Sequence, residues 1–258
     1  MTEPVNTLAD WKREQYKSGG GNALLFYAVH GKFEQPFTLD RQHYRSNGPP
    51  PGVRVEIHKR ENNPDTDFFV SDYLGSELEA QGKELQAAVL ASPESLLVLG
   101  ELEDPSDLNY LRDTVGFIMS LLDQGGLAVC DPQRLTWWTA ESWENELFDP
   151  AMAVPRHHVI ILTSLEEKNP NLTWVHTRGM RKFGRPDLSI RNVPQKYFNT
   201  VTELCNRFIE HQAFGMLVPD GQEILMEGLP GGLICYNKGD LEDPDFNNVH
   251  IEMIFPQN

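Results

Sequence analysis

Hydrophobic and polar positions follow two different periods along this chain. Residues 53–58, VRVEIH, alternate with period two, which is the pattern of a half-buried strand. Residues 104–126 instead place apolar side chains three and four positions apart and close on Gly125-Gly126, as a helix does. This apolar face consists of Leu108, Leu111, Val115, Ile118 and Leu122. The pattern predicts an amphipathic helix whose start is marked by Asp104-Pro105.

Shorter patterns predict further elements on both sides of this helix. Ser76 and Glu79 form a capping-box pattern that opens a helix ending near Leu90, and a later helix follows Pro194. The predicted strands cover residues 96–102, 127–130, 135–138, 159–165, 172–176, 188–193, 223–229, 232–236 and 250–255. Because the order strand–helix–strand recurs, we predict an α+β fold of two related halves, each a mainly antiparallel sheet with helices packed on one face.

Residues 45–52, RSNGPPPG, mark the clearest boundary in the sequence. Proline lacks the backbone donor, and glycine the conformational restraint, that a helix or a central strand requires. We therefore divide the chain into an N-terminal leader and linker region at 1–52, a first α+β half at 53–150 and a second at 151–258. The pattern leaves open whether the two halves form one domain or share one sheet.

The charge of the chain narrows the classes of partner. Its 258 residues carry 22 Lys and Arg against 38 Asp and Glu, a formal net charge of −16. This excess of negative charge repels phosphate backbones, so we expect no binding to nucleic acid. No apolar run approaches the roughly 20 residues of a membrane span, and the first twenty residues lack the apolar core of a secretory signal. We therefore expect a cytoplasmic protein without membrane association.

The cysteines and the common catalytic motifs point to no specific chemistry. Cys130, Cys205 and Cys235 lie far apart in apolar stretches and form no Cys-x-x-Cys pair, so we interpret them as buried free thiols in a reducing compartment. The sequence contains no nucleotide-binding glycine motif, no hydrolase Gly-x-Ser-x-Gly and no His-Glu-x-x-His. We therefore predict no cofactor and no metal, and we assign no catalytic residue.

An acidic stretch near the C-terminus partly matches a calcium-binding loop. Asp243, Asp245 and Asn247 occupy the first three ligand positions. The match then fails, because Asn248 stands where glycine is needed and Ile254 where the bidentate glutamate belongs. We interpret the stretch as a solvated acidic turn.

A reversal of charge in the second half is the strongest candidate for a functional site. Within residues 176–191 five basic side chains stand against one acid, Asp187. Arginines in such a cluster hold anions by bidentate hydrogen bonds, a histidine transfers protons near neutral pH, and a phenyl ring stacks on a ligand. The candidate ligand-binding residues are His176, Arg178, Arg181, Phe183, Arg185 and Asp187. We refer to residues 176–187 as the basic block.

A structural interpretation of the same residues stays open. The arginines would pair with surplus carboxylates on an outer sheet face, at roughly 0–1 kcal/mol for each pair. His176 would bond to the backbone, and Phe183 would belong to the core. The same choice applies to Trp137 and Trp138, which are either candidate partner-binding residues or core indoles.

The basic block carries a family resemblance. Residues 176–180, HTRGM, and 183–187, FGRPD, resemble a block in uncharacterised bacterial domain-of-unknown-function proteins. The resemblance extends over residues 95–255 and implies a shared fold without supplying an activity.

Two functional hypotheses follow. The first is a non-catalytic interaction or regulatory protein of a bacterium, such as an immunity-type partner, which steers toward a basic protein partner. The alternative is a small-molecule enzyme or sensor that binds a small anionic ligand at the basic block. Both hypotheses are compatible with a homo-oligomer, since an exposed edge strand can pair across a dimer.

Overall fold

The computed structural model describes residues 8–62 and 69–256, and the chain divides into two compact units. The first unit takes its described residues from Met1–Lys12, Leu25–Leu102 and Asp107–Val154, and the second from Arg13–Leu24, Glu103–Ser106 and Pro155–Asn258. The second unit is therefore built from two short early segments and the C-terminal part of the chain.

The first unit is organised around a five-stranded sheet in the order β2-β3-β1-β4-β5. Its strands are β1 (Ala23–Gly31), β2 (Val53–Lys59), β3 (Glu94–Leu102), β4 (Gly126–Asp131) and β5 (Thr136–Thr139). The pairs β2/β3, β1/β4 and β4/β5 are antiparallel. The middle strand is β1, so part of the region 1–52 belongs to this sheet.

The described part of this unit contains four α-helices. They are α1 (Asp72–Ala80), α2 (Lys83–Ala91), α3 (Asn109–Asp123) and α4 (Ala140–Trp143), the last followed by a π-helical turn at Glu144–Phe148. The single helix predicted from Ser76 to Leu90 is wrong, because Gly82 adopts a φ of +120° and separates α1 from α2. The helix predicted at Asp104-Pro105 exists but begins at Asn109.

Apolar side chains of this sheet pack against the helices. Ala28, Cys130 and Trp137 form a core with residues of α1 and α2. Because neighbouring residues of a strand point to opposite faces, Trp138 lies on the other side. There its ring meets Trp143 edge-on at 6.3 Å, and the Trp143 indole donates to a carbonyl of α3.

The second unit contains a separate five-stranded sheet in the order β11-β12-β8-β7-β6. The helices and strands of the second unit, in chain order, are α5 (Pro155–His158), β6 (Ile160–Glu166), β7 (Asn169–Arg178), β8 (Asp187–Pro194), α6 (Phe198–Ala213), β9 (Glu223–Ile224), β10 (Leu233–Ile234), β11 (Tyr236–Lys238) and β12 (His250–Ile254). Strands β8 and β12 are parallel, and the other pairs in this sheet are antiparallel. The strand predicted at 223–229 shrinks to the two residues of β9, which pair with β10.

Helix α6 covers one face of the second sheet. Val201, Leu204 and Phe208 of α6 share a core with Val175 and Ile190, which lie on adjacent strands of the sheet. Two mainly antiparallel sheets with packed helices confirm the predicted α+β class. Within the described ranges no helix has both the length and the apolar content needed to cross a bilayer.

Candidate functional site

The basic block forms the connection between β7 and β8. A 3-10 turn at Met180–Phe183 joins the two strands and is flanked by Gly179 at a φ of +118° and Gly184 at +61°. Both values lie in the left-handed region, where a glycine carries no steric cost. The two glycines therefore serve the turn, which contains Arg181 and Lys182 and lies between Arg178 and Arg185.

The guanidinium group of Arg185 forms hydrogen bonds with other residues of the second unit. The residue is 1% exposed. Its Nη1 donates to Asp104 Oδ1 at 3.0 Å and to the Gly184 carbonyl at 2.9 Å. Its Nη2 donates to the carbonyls of Lys17 and Gly215, each at 3.3 Å. Arg185 therefore ties distant parts of the chain together.

Asp104, which pairs with Arg185, also accepts hydrogen bonds from the backbone of the early glycine run. Its Oδ2 accepts from the backbone N–H groups of Gly19 and Gly20 at 2.9 and 3.1 Å. Burial raises the pKa of this carboxyl, but the hydrogen bonds from Arg185, Gly19 and Gly20 lower it by more, so the net shift is downward. A Cβ on Gly20 would lie 1.6 Å from the Arg185 Nη1, so the early glycine run also makes room for the guanidinium.

A second buried arginine, Arg13, has the same role and was missed by sequence reasoning. Its exposed fraction is 4%. Its guanidinium donates to the carbonyls of Ala213 at 2.9 Å, Pro105 at 2.7 Å and Phe183 at 3.0 Å. A single arginine in a polar leader gives no sequence signal for such burial.

Two further residues of the block are internal. Lys182 is fully buried, and its Nζ donates to the His158 carbonyl at 2.9 Å. The Phe183 ring is fully buried and lies edge-on to the His158 ring at 5.9 Å. This position assigns Phe183 to the core and leaves it no face on which a ligand could stack.

Asp187 is a buried hydrogen-bond acceptor at the start of β8. Its carboxylate accepts from Thr177 Oγ1 at 2.9 Å, the Met180 backbone N–H at 3.2 Å and Asn248 Nδ2 at 2.8 Å. Burial raises its pKa to about 6, against the lowering effect of these bonds and of Arg178. Asp187 therefore fixes the turn of the basic block and holds Asn248.

Arg178 and Arg181 are half-buried and hold the segment 239–249 that connects β11 to β12. Arg178 Nη1 donates to the Asp245 carbonyl, and Arg181 Nη1 donates to the Asn247 carbonyl at 2.8 Å. The acidic turn predicted in this segment is present, since Asp243 Oδ1 accepts from the Asp245 backbone N–H at 3.0 Å. The two arginines thus act on the chain's own backbone.

His176 lies in an aromatic stack beneath the segment 239–249. Its ring stacks on Trp174 at 3.9 Å and meets Phe246 edge-on at 5.7 Å, and Phe246 stacks on His250 at 4.2 Å. Burial, together with the nearby positive charges of Arg178 and Arg191, lowers the pKa of His176 to about 4. The imidazole is therefore neutral at pH 7, which makes it a poor proton donor there.

The two tryptophans proposed as a partner surface lie in the interior of the first unit. Trp137 is 2% exposed and Trp138 is 3% exposed. The Trp137 indole donates to the Leu74 carbonyl at 2.9 Å, and the Arg134 guanidinium lies 4.7 Å from the Trp138 ring centre. As packed here, neither indole offers a partner an exposed face.

No family model, curated protein or solved structure matches the chain. Within residues 8–62 and 69–256, no group of three or more His, Cys, Asp or Glu side chains is arranged to hold a metal ion. The three cysteines are free and buried.

Proposed function

We propose that this protein is a non-catalytic interaction protein that binds a basic protein partner. The observation that carries the proposal is the inward use of the basic block, whose buried Arg185 and half-buried Arg178 and Arg181 donate to this chain's own carbonyl groups. Cations that are committed in this way leave the acidic excess to dominate the exterior.

The distribution of charge supports this reasoning. Among the described residues the buried cations are Arg13, Arg112, Lys182 and Arg185, and the buried acids are Asp113, Asp131 and Asp187. Four positive and three negative side chains nearly cancel, so the acidic excess of the described residues lies outside the core. The electrostatic field of this negative charge raises the association rate with a positively charged partner by roughly 10- to 1000-fold at low salt.

The segment 239–249 offers both charge and apolar surface to a partner. It exposes the side chains of Asp240, Glu242 and Asp245. Leu241 and Val249 on the same segment are 49% and 39% exposed. Basic partners of acidic proteins contact surfaces of this mixed kind, because carboxylates steer the encounter and apolar contacts slow dissociation.

The alternative function, an enzyme or sensor for a small anionic ligand, has one observation in its favour. Arg178 and Arg181 each keep a buried Nε without a hydrogen-bond partner among the described residues. These two donors are weak support, because both guanidinium groups already bind backbone oxygens through Nη1.

Affinity capture at two salt concentrations tests the proposal. The tagged full chain is incubated with a bacterial lysate at about 50 mM and about 500 mM NaCl, which changes the screening length several-fold. We expect a stoichiometric basic partner at low salt and its loss at high salt. The matched variant D240N/E242Q/D245N should retain less of it. The proposal would be refuted if no stoichiometric partner is recovered at low salt. It would also be refuted if the recovered partner binds equally well at both salt concentrations.

A further inference from the structure

An apolar groove runs along one face of α6 in the second unit. Its volume is about 200 Å³. Leu204 and Phe208 form the helical wall, and Ile224, Leu225 and Met226 form the wall opposite. Residues four apart on a helix share a face, so the spacing of Leu204 and Phe208 gives the groove a continuous apolar side.

The size of the groove fits one large apolar side chain. A dry cavity of about 150 Å³ accepts benzene, so about 200 Å³ accommodates a phenyl or indole ring. Leu225 on the rim is 79% exposed, more than any other large hydrophobic residue that the structure describes. An apolar cavity next to so exposed a leucine is typical of a surface that a partner covers.

The wall of the groove opposite α6 belongs to the hairpin of β9 and β10, and exposed acidic residues lie beside it in sequence. Asp220, Glu223 and Glu227 lie close in sequence to the lining residues Gln222, Ile224, Leu225 and Met226, and all three acids are exposed. Glu223 accepts a hydrogen bond from the Gly232 backbone N–H at 2.7 Å, which holds its carboxylate beside the hairpin. A cation approaching this wall is therefore attracted.

The helical side adds little positive charge. Arg207 lines the groove, but its Nε lies 3.0 Å from Glu203 Oε1 in an exposed ion pair. His211 also lines the groove, and its Nδ1 lies 3.2 Å from the side-chain amide of Gln15. The ion pair is neutral overall, so the three exposed carboxylates of residues 220–227 leave the surroundings of the groove with a negative charge.

We propose that this groove binds a cationic segment of the partner protein, which inserts one large apolar side chain beside Leu225. The proposal rests on the protein-binding function and names the chemistry of the partner. Apolar lining selects the inserted ring, and the carboxylates of the hairpin select the lysines or arginines that flank it.

A synthetic peptide tests the groove directly. The probe is acetyl-Lys-Lys-(5-fluoro-Trp)-Lys-Lys-amide, titrated with the full chain and followed by fluorine NMR. We expect saturable binding to the wild type and binding to Leu225→Ser weakened by at least about tenfold, since a buried leucine contact is lost. Leu165→Ser is the matched control, because Leu165 is 66% exposed on β6 and does not line the groove.

A second pair of variants tests the charge. Glu227→Lys should weaken binding of the peptide, and Glu167→Lys, which also reverses an exposed carboxylate, should weaken it less. A control peptide with serine in place of the fluorinated tryptophan should bind weakly to every variant. Lack of saturable binding, or equal binding to Leu225→Ser and Leu165→Ser, would overturn the groove proposal.

The capture experiment separates this failure from failure of the function itself. A basic partner that is captured equally by the wild type and by Leu225→Ser would refute the groove and leave the protein-binding function standing. A lysate that yields no stoichiometric partner for the wild type would refute the function whatever the peptide does.

Discussion

Removing the Arg185 guanidinium tests whether the basic block holds the fold together. Arg185→Met keeps most of the aliphatic stem and deletes four hydrogen bonds, including the 3.0 Å ion pair with Asp104. The arginine side chain is fully buried, and that of Asp104 is 15% exposed.

The expected cost follows from this burial. Breaking a buried ion pair by removing one partner costs about 3–5 kcal/mol, because a charge is left uncompensated. Asp104 keeps its two backbone donors and some contact with water. We therefore expect the lower end, a loss of about 3 kcal/mol in the free energy of unfolding of the second unit.

Urea titration followed by circular dichroism measures this loss, with Arg207→Met as the control. Arg207 pairs with Glu203 at the same 3.0 Å, but both side chains are more than half exposed. An exposed pair contributes only about 0–1 kcal/mol. If Arg185→Met costs no more than Arg207→Met, the interpretation of Arg185 as an internal tie is wrong.

Three further predictions concern the same unit. Lowering the pH from 7 to 5 should remove about 2 kcal/mol of stability through His176, because its pKa falls from about 6.5 when unfolded to about 4 when folded, so the unfolded chain binds the proton first. Urea titrations of the wild type and His176→Gln at both pH values measure this. Gly184→Ala should destabilise the protein by more than the roughly 1 kcal/mol expected for Gly221→Ala. Both glycines have a positive φ, but a Cβ on Gly184 would lie 2.1 Å from a backbone oxygen, whereas a Cβ on Gly221 would meet open space. Thermal unfolding of the two variants compares these costs. Arg178→Ala should speed amide hydrogen exchange in residues 245–247 by roughly fivefold, the effect of about 1 kcal/mol, because it loses its bond to that segment.

Each of these has an outcome that would contradict it. A pH dependence unchanged by His176→Gln would show that this imidazole titrates normally in the folded protein. Equal melting temperatures for the two alanine variants would show that the close approach at Gly184 is relieved without cost. Unchanged exchange in Arg178→Ala would show that other contacts hold the segment 239–249.

The sequence predicted the fold class because hydrophobic period is a local property. The strand at 53–58 and the helix face from Leu108 to Leu122 depend on neighbours within a few positions, and both are present. The break at Gly82 and the exact start of α3 depend on backbone geometry and on distant contacts. Asp104 has the residue type of a helix cap, but its carboxylate accepts from Gly19 and Gly20.

The basic block was found by sequence, but the sequence could not tell which way its side chains point. A run of arginines with glycines looks the same whether it faces a ligand or the chain's own carbonyl groups. Arg185 and Lys182 are buried because their partners come from far along the chain, such as Lys17 and His158. Contacts over such sequence distances leave no local pattern to read.

Thermal unfolding in the presence of anions tests most directly whether the block arginines are committed to this chain's own backbone. Inorganic phosphate, ATP and citrate are added at about 10 mM and compared with NaCl of equal ionic strength. A ligand with a Kd of about 0.1 mM would stabilise the folded protein by roughly 2.7 kcal/mol, a shift of several degrees in Tm. We predict no shift beyond that of NaCl. A rise of several degrees that disappears in Arg178→Ala would contradict this prediction and favour the anionic-ligand function.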